Sequence, residues 1–306
     1  MKLFDLHCDI GTDVEESLRK GIKDPFTTRH LNKLHQGDID YVCCACFFEG
    51  SETWEYMAKM ITDLERELEQ SDVTFVKEKE DLYKEGKTHA IISVEGMCGI
   101  KEEPREKIQF MAKHHVKVAS LAWNDQNYLA SGVKSDVCRG LTVAGLEAID
   151  EMAKCGIALD VSHLNEASFW DVIKHHTGKI CATHSNSKHL CDVERNLTNQ
   201  QIRAIAQRGG IIGMNACASF VDPDKSKQDA YHLALHAKYI ADLVGVDHVA
   251  CGFDFMDFFE GEDYMAKGLH DSSCGQNFVR ALYEVGFNEE EVVAICYQNA
   301  VRFFSE

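Results

Sequence analysis

Short apolar runs alternate with longer amphipathic stretches along almost the whole chain. The short runs have the length and composition of buried β-strands, and the stretches between them carry apolar residues at helical spacing. The predicted strands cover residues 3–9, 40–47, 89–95, 116–123, 157–163, 179–184, 210–215 and 248–254. The predicted helices cover residues 53–70, 104–115, 142–155, 166–176, 198–208 and 228–244, with two more at 275–285 and 289–304. Strands and helices that alternate in this way favour a parallel sheet.

The count of strand–helix units predicts the fold class. Eight such units are typical of a (β/α)8 TIM barrel of the α/β class. A doubly wound open sheet is the alternative, but no G-x-G-x-x-G follows the first predicted strand, so dinucleotide binding has no support. Only three prolines occur, and no Gly/Ser linker divides the chain. We therefore expect a single barrel domain over residues 1–306, with helices closing its C-terminus.

Composition narrows the class of partner. The chain has 32 basic and 50 acidic side chains, a formal net charge of −18, so no basic excess is available to bind a nucleic-acid backbone. No run approaches the roughly 18 consecutive apolar residues of a membrane span, and the N-terminus lacks the pattern of a signal peptide. Thirteen cysteines scattered through apolar segments indicate buried free thiols in a reducing compartment. These features predict a cytoplasmic protein that binds neither nucleic acid nor a membrane.

The first predicted strand ends in His7, Cys8 and Asp9. Because side chains alternate along a strand, His7 and Asp9 should project together, opposite Leu6 and Cys8. An imidazole and a carboxylate side by side can bind a divalent metal. In a barrel of this type the C-terminal strand ends meet at the face that carries the active site. The other strand ends therefore decide whether this pair belongs to a metal site.

Four later strand ends supply side chains of the same kinds, namely Glu95, His163, His184 and Asp254. The number of candidate ligands favours two metals, with zinc suited to the two imidazoles and with Glu95 placed to bridge. Two neighbouring metals can share a hydroxide and polarise a substrate carbonyl. Asp254 is then the spare carboxylate, which can act as a general base and then as a general acid.

These segments resemble the membrane (renal-type) dipeptidase family, peptidase family M19, of the amidohydrolase superfamily. The resemblance extends along nearly the whole chain. It is carried by FDLHCD at 4–9, SVEG at 93–96, GLT at 140–142, DVSHLNE at 160–166, THSN at 183–186, RNLT at 195–198 and GGIIG at 209–213. The order and spacing of these motifs together make the signal specific.

The resemblance implies a homodimeric barrel that binds two zinc ions and hydrolyses dipeptides, and manganese or cobalt would also suit such a site. It assigns one metal to His7, Asp9 and Glu95 and the other to Glu95, His163 and His184. It makes Asp254 the proton carrier and Arg195 the group that holds the free carboxylate of the substrate. The planar fork of an arginine suits that task because it binds a carboxylate at two points.

Two departures from the family pattern concern the substrate pocket. Trp123 stands where the family often has a histidine that contacts the scissile carbonyl, so Asn124 or a metal is expected to take over this contact. The segment GFDFMD at 252–257 replaces the commoner GSDFDG, which retains Asp254 and predicts a pocket of different shape. A related binuclear amidohydrolase acting on another amide, a lactam or a lactone is the alternative function, and a catalytically silent metal-binding protein is the third.

Overall fold

A computed structural model describes residues 1–259 and 264–306, and its centre is a parallel sheet. The strands of the described part are β1 (Leu3–Cys8), β2 (Ile39–Phe47), β3 (Thr74–Phe75), β4 (His89–Glu95), β5 (Val116–Ser120), β6 (Ala158–Asp160), β7 (Ile180–Ala182), β8 (Ile211–Met214) and β9 (Val249–Cys251). They run in the order β2-β1-β9-β8-β7-β6-β5-β4-β3, and a second pairing of β2 with β4 closes the sheet.

The closure leaves eight strands in the barrel, which confirms the predicted (β/α)8 TIM barrel and excludes the open doubly wound sheet. The additional strand, β3, pairs only with the start of β4, at His89 and Ala90. Two residues are too few to produce a periodic pattern, which explains why the sequence does not predict β3.

Helices surround the barrel between successive strands. They are α1 (Ile10–Arg19), α2 (Asn32–Gln36), α3 (Trp54–Gln70), α4 (Pro104–Lys113), α5 (Val143–Cys155), α6 (Glu166–His175), α7 (Asn199–Gln207), α8 (Ala218–Val221), α9 (Ala230–Val244), α10 (Gln276–Glu284), α11 (Glu289–Val293) and α12 (Asn299–Ser305). Each predicted helix is present, and 289–304 forms α11 and α12 joined by a π-helical turn, Ala294–Gln298. Among the described residues, no helix combines the length and the apolar character needed to cross a bilayer.

Helix α1 is the main element that the sequence pattern misses. Two of its acidic residues are buried and paired with other elements: Asp13 contacts Arg29 and His30, and Glu15 accepts a hydrogen bond from Tyr56. The apolar residues of α1 are Ile10, Val14 and Leu18, only one per turn, so its apolar stripe is narrower than that of a typical surface helix. By contrast, α7 begins with a capping box formed by Thr198 and Gln201.

The barrel interior is filled by a compact apolar cluster with members from all eight barrel strands, including Phe4 and Leu6 of β1 and Cys43 of β2. A second, larger cluster lies between the barrel and the helices and includes Cys8. Leu6 and Cys8 therefore lie on opposite faces of the sheet, although they are two residues apart. The register between β1 and β2 shifts between Asp5 and Cys8, which marks a bulge. The expectation that Leu6 and Cys8 share a face was therefore wrong.

Several strands end earlier than the sequence predicts. Strand β6 ends at Asp160, β7 at Ala182 and β9 at Cys251, three, two and three residues before the predicted ends at 163, 184 and 254. The chain beyond each end leaves the ladder and enters a loop on one face of the barrel. Glycines allow the backbone at residues 213 and 252 to lie close to the backbone of Thr183. A Cβ added to Gly252 or Gly213 would lie 1.7 or 2.0 Å from the carbonyl oxygen of Thr183. His163, His184 and Asp254 lie on these loops, whereas His7 and Glu95 lie within β1 and β4.

Candidate metal centre

A cavity of about 700 Å³ opens at the C-terminal ends of the barrel strands. Seven of the nine site residues predicted from the sequence line it: Asp9, Glu95, Trp123, Asn124, His163, Arg195 and Asp254. The other two, His7 and His184, are buried directly behind this surface, where their rings lie 3.9 Å apart between centroids. The structure thus brings every predicted site residue to one place, as expected for strand ends of such a barrel.

Glu95 occupies the middle of the cluster. Its Oε2 lies 3.3 Å from Nε2 of His7, and its Oε1 lies 2.6 Å from Nε2 of His163 and 3.5 Å from Nε2 of His184. One carboxylate therefore faces imidazoles with each of its two oxygens. This is the arrangement that a bridge between two cations requires.

Two buried atoms of the cluster lack a hydrogen-bond partner within the described residues: Nε2 of His7 and Oδ1 of Asp9, which lie 3.5 Å apart. Leaving buried polar atoms unpaired is costly, so a native structure explains them by a bound ion or water. The potential ligand atoms of His7, Asp9 and Glu95 lie within 4.8 Å of one another, as do those of Glu95, His163 and His184. Nitrogen and carboxylate donors at this spacing fit two divalent metals.

Burial keeps two of the imidazoles in the form that binds metals. It lowers the pKa of His163 to about 4, with a further contribution from the nearby Arg195. It also lowers the pKa of His184 to about 3, assisted by the charge of His7. Both rings are therefore neutral near pH 7, and a neutral imidazole offers a lone pair to a metal.

Asp254 lies beside this cluster in an unusual backbone conformation. Its φ is +62°, and its N–H donates a hydrogen bond to the carbonyl oxygen of His7 at 3.0 Å. A left-handed conformation at a residue other than glycine stores strain and is found preferentially at functional sites. Its Oδ1 lies 3.8 Å from Nε2 of His7, and its Oδ2 accepts a hydrogen bond from Asn215. Burial raises the pKa of Asp254 to about 7, although the charge of His7 opposes this effect.

Arg195 is buried and points into the same cavity, which excludes a surface salt bridge as its role. Its Nη1 donates to the carbonyl oxygen of Ser162, and its Nη2 donates to that of His184 at 3.3 Å. The Nε of Arg195 has no hydrogen-bond partner in the part of the chain that the structure describes, and the guanidinium packs over the ring of Phe220. A buried cation with spare donors facing a cavity can bind an anionic group.

Trp123 and Asn124 play different structural parts. Trp123 forms an aromatic wall of the cavity, with edge-to-face packing against Phe47 and with Nζ of Lys134 5.6 Å from its ring. The side chain of Asn124 faces His163, whose Nδ1 lies 3.1 Å from Oδ1 of Asn124. Asn124 therefore orients an imidazole of the cluster through its amide oxygen.

Sequence reasoning missed three polar residues that support the cluster: Asp160, Thr183 and Asn215. All three are buried; Thr183 contacts His184, Asn215 donates a hydrogen bond to Asp254, and Asp160 reaches the cluster through Thr183. Asp160 and Thr183 lie inside the motifs DVSH and THSN, so a signal was present in the sequence. Their hydrogen-bond partners depend on the folded loops and were not predictable from spacing.

Solved structures of other proteins share this fold. A metallopeptidase from Rhodobacter sphaeroides, solved with a phosphinate mimic of the dipeptide L-Ala-D-Ala, superposes with a TM-score of 0.86 at 20% identity over 99% of this chain and 98% of that one. An amidohydrolase from Pseudomonas aeruginosa superposes with a TM-score of 0.80 at 22% identity over 90% of each chain.

Sequence relatives and a family model identify the family. An uncharacterized Klebsiella pneumoniae protein of the pqqA 5′ region is 37% identical over 182 residues, which are 56% of this chain and 67% of that protein. Dipeptidase tcpJ of Claviceps purpurea is 23% identical over 227 residues, which are 74% of this chain and only 52% of that enzyme. The model of the membrane dipeptidase family, peptidase family M19, matches residues 1–306. The chain therefore belongs to the membrane dipeptidase family, peptidase family M19, and is a hydrolase of the metallopeptidase class.

Proposed function

We propose that this protein is a zinc-dependent dipeptidase that hydrolyses the peptide bond of free dipeptides. The observation that carries the proposal is the position of Glu95, whose two carboxylate oxygens face His7 on one side and His163 with His184 on the other. In this proposal His7, Asp9 and Glu95 hold one metal, and Glu95, His163 and His184 hold the second. When bound, such a pair of metals supplies an activated water and polarises the scissile carbonyl.

Asp254 is the proton carrier in this proposal. Its free Oδ1 points toward the cluster, while its Oδ2 is held by Asn215. A carboxylate in this position can take a proton from the attacking water and deliver it to the leaving amine. A pKa raised by burial to about 7 matches this double task, because a group that both accepts and donates a proton works best near the ambient pH.

Arg195 determines the length of the substrate. Its guanidinium lies 3.2 Å from His163 between Nη2 and Nε2, so an anion held there lies next to the cluster. A carboxylate bound at this distance belongs to the residue immediately after the scissile bond, as in a dipeptide. Trp123 and Asn124 flank the same cavity, and we assign them to the substrate-binding wall.

A panel of substrates tests the proposal. Purified protein loaded with zinc is offered free dipeptides, among them L-Ala-L-Ala and L-Ala-D-Ala, together with their C-terminal amides, tripeptides, a lactam and a lactone. We expect hydrolysis of the free dipeptides, loss of activity with a chelator and recovery on adding zinc back. Arg195 fixes the C-terminal carboxylate of the substrate rather than its side chain, so we also expect a D-residue at the C-terminal position to be accepted. Faster hydrolysis of the lactam or lactone would favour the related amidohydrolase instead.

Three further expectations belong to the same proposal. Residues 1–306 act as one domain, which a single cooperative unfolding transition would support. The thirteen cysteines are all free thiols and ten are buried, consistent with a cytoplasmic location. The family resemblance predicts a homodimer, which light scattering of the purified protein would check against the 34.5 kDa of one chain.

A further inference from the structure

The hydroxyl of Thr183 lies behind the cluster, on the side away from the cavity. Its Oγ1 is 2.6 Å from Oδ2 of Asp160 and 2.8 Å from Nδ1 of His184. It also lies 3.5 Å from Nδ1 of His7. The hydroxyl of Thr183 thus contacts Nδ1 of both His7 and His184, and each of these rings faces Glu95 with its Nε2.

The hydrogen bonds of Asp160 determine which group donates and which accepts between Asp160, Thr183 and His184. Its Oδ1 accepts from the N–H and the hydroxyl of Ser162, at 3.0 and 2.6 Å, and from the N–H of Thr183 at 2.9 Å. The two backbone N–H groups can only donate, and the hydroxyl of Ser162 is also able to donate. Both oxygens of the Asp160 carboxylate therefore act as hydrogen-bond acceptors. The hydroxyl of Thr183 must therefore donate to Oδ2 of Asp160.

That direction determines the tautomer of His184. Since the proton of the Thr183 hydroxyl points to Asp160, only the lone pairs of Oγ1 face Nδ1 of His184, and this nitrogen must carry the hydrogen. Nε2 is then unprotonated and presents its lone pair to the cluster. The second lone pair of Oγ1 faces Nδ1 of His7 in the same way, at the longer distance of 3.5 Å.

The same hydrogen bonds indicate whether Asp160, which belongs to a third group of potential metal ligands, binds a metal itself. His7, Asp160 and His184 also place ligand atoms within 4.8 Å of one another. Both oxygens of Asp160 are already occupied by protein donors, so Asp160 is better suited to support the imidazoles than to bind a cation itself. Outer partners of this kind orient metal-binding imidazoles and raise their basicity.

We propose that Asp160 and Thr183 form a relay that positions His7 and His184 for both metals, with Thr183 as the shared anchor. This inference rests on the proposed metal centre and extends it to two residues behind it. Thr183 and Asp160 are positioning residues, because they act through the imidazoles. The relay predicts that the imidazoles are preset in the correct tautomer before a metal arrives.

Zinc affinity tests the relay without reference to catalysis. The variant Thr183→Val keeps the shape of the side chain and removes the hydroxyl, whereas Thr183→Ser keeps the hydroxyl. The comparison variant Ser162→Ala removes another hydroxyl from the same Asp160, one that contacts no imidazole nitrogen of the described cluster but lies 3.4 Å from Oγ1 of Thr183 and 3.2 Å from the backbone nitrogen of His184. Apparent affinity is measured by competition with a chelating indicator, and circular dichroism confirms that each variant is folded.

We expect Thr183→Val to lose zinc affinity by about 10- to 100-fold, the range typical of outer partners of metal ligands. Thr183→Ser should stay close to the unmodified protein, and Ser162→Ala should lose less zinc affinity than Thr183→Val because it leaves the hydroxyl of Thr183 in place. Equal affinity for Thr183→Val and the unmodified protein would overturn the relay and leave the dipeptidase proposal standing. Conversely, the expected losses in a protein that cleaves no dipeptide would support the relay and overturn the dipeptidase proposal.

A second measurement uses the unmodified protein and does not depend on the folding of a variant. Long-range ¹H–¹⁵N spectra of metal-free, histidine-labelled protein report which ring nitrogen carries the hydrogen. The relay predicts that His184 carries it on Nδ1 in the absence of metal. A hydrogen on Nε2 of His184 in the metal-free protein would contradict the relay.

Discussion

The side-chain amide of Asn215 donates a hydrogen bond to Oδ2 of Asp254 at 3.0 Å. The same nitrogen lies 3.3 Å from the carbonyl oxygen of His184, which also accepts a hydrogen bond from Nη2 of Arg195. The carbonyl oxygen of His184 thus connects Asn215, which holds Asp254, with Arg195, the residue proposed to bind the substrate carboxylate. Asn215 is fully buried, and its Oδ1 accepts the N–H of Cys217, so its own orientation is fixed.

Replacing Asn215 by alanine should lower kcat for dipeptides by about 10- to 100-fold, because Asp254 loses the contact that aims its free oxygen at the cluster. KM should change little, since Arg195 keeps its bonds to Ser162 and His184. Steady-state kinetics of the zinc-loaded variant measure both constants. The effect should be much smaller when Asp254→Asn is already present, because residues that act as a unit are not additive. Fully multiplicative effects would show that Asn215 does not act through Asp254.

Asp254→Asn should retain the fold and the metals but lose turnover. The amide has the same shape as the carboxylate and cannot carry a proton, and general acid–base catalysis typically contributes on the order of 10²- to 10⁴-fold. Metal analysis and kcat are measured on the same preparation. A variant with nearly normal kcat would remove Asp254 from the role of proton carrier.

Arg195→Met should raise KM for free dipeptides and narrow the difference between free and C-terminally amidated substrates. Losing a desolvated charge pair costs on the order of 2–5 kcal/mol. The unmodified protein should accordingly cleave amidated dipeptides and tripeptides poorly, whereas the variant should discriminate less between free and amidated dipeptides. Equal rates for free and amidated dipeptides with the unmodified protein would show that Arg195 does not clamp the carboxylate.

Removing the metals should lower the thermal stability of the protein. Ligands that bind only the folded state stabilise it, and without them Asp9 and His7 keep unpaired buried atoms. Differential scanning fluorimetry with a chelator, and again after zinc is restored, measures the change in Tm. His163→Ala should show a smaller response to zinc than the unmodified protein, since it lacks one ligand of the second metal. An unchanged Tm on chelation would argue against a buried metal centre.

The sequence predicted the barrel, and it predicted that the candidate site residues meet at one face, because both depend on a local pattern. Strand and helix periods determine the order of elements, and the polar residues that follow each strand must meet at one face of a closed parallel barrel. Glu95, His163 and His184 were found in this way. The predicted strand ends were too long at β6, β7 and β9, because the residues that follow each of these strands remain buried after the strand has ended.

Other features depend on contacts between distant segments and have no local signal. The bulge in β1 places Leu6 and Cys8 on opposite faces, and a regular alternation does not predict it. Helix α1 buries Asp13 through partners that lie 16 and 17 residues further along the chain. The contacts of Thr183 and Asn215 likewise appear only when the loops after β7 and β8 are folded against the cluster.

A zinc titration tests most directly whether two metals act together at Glu95. Metal-free protein is titrated with zinc, and bound zinc per chain and the rate of L-Ala-D-Ala hydrolysis are recorded in the same samples. We predict that activity rises until two zinc ions are bound per chain and is constant beyond that point. Full activity at one zinc ion per chain, with no second ion bound at saturation, would contradict the binuclear site.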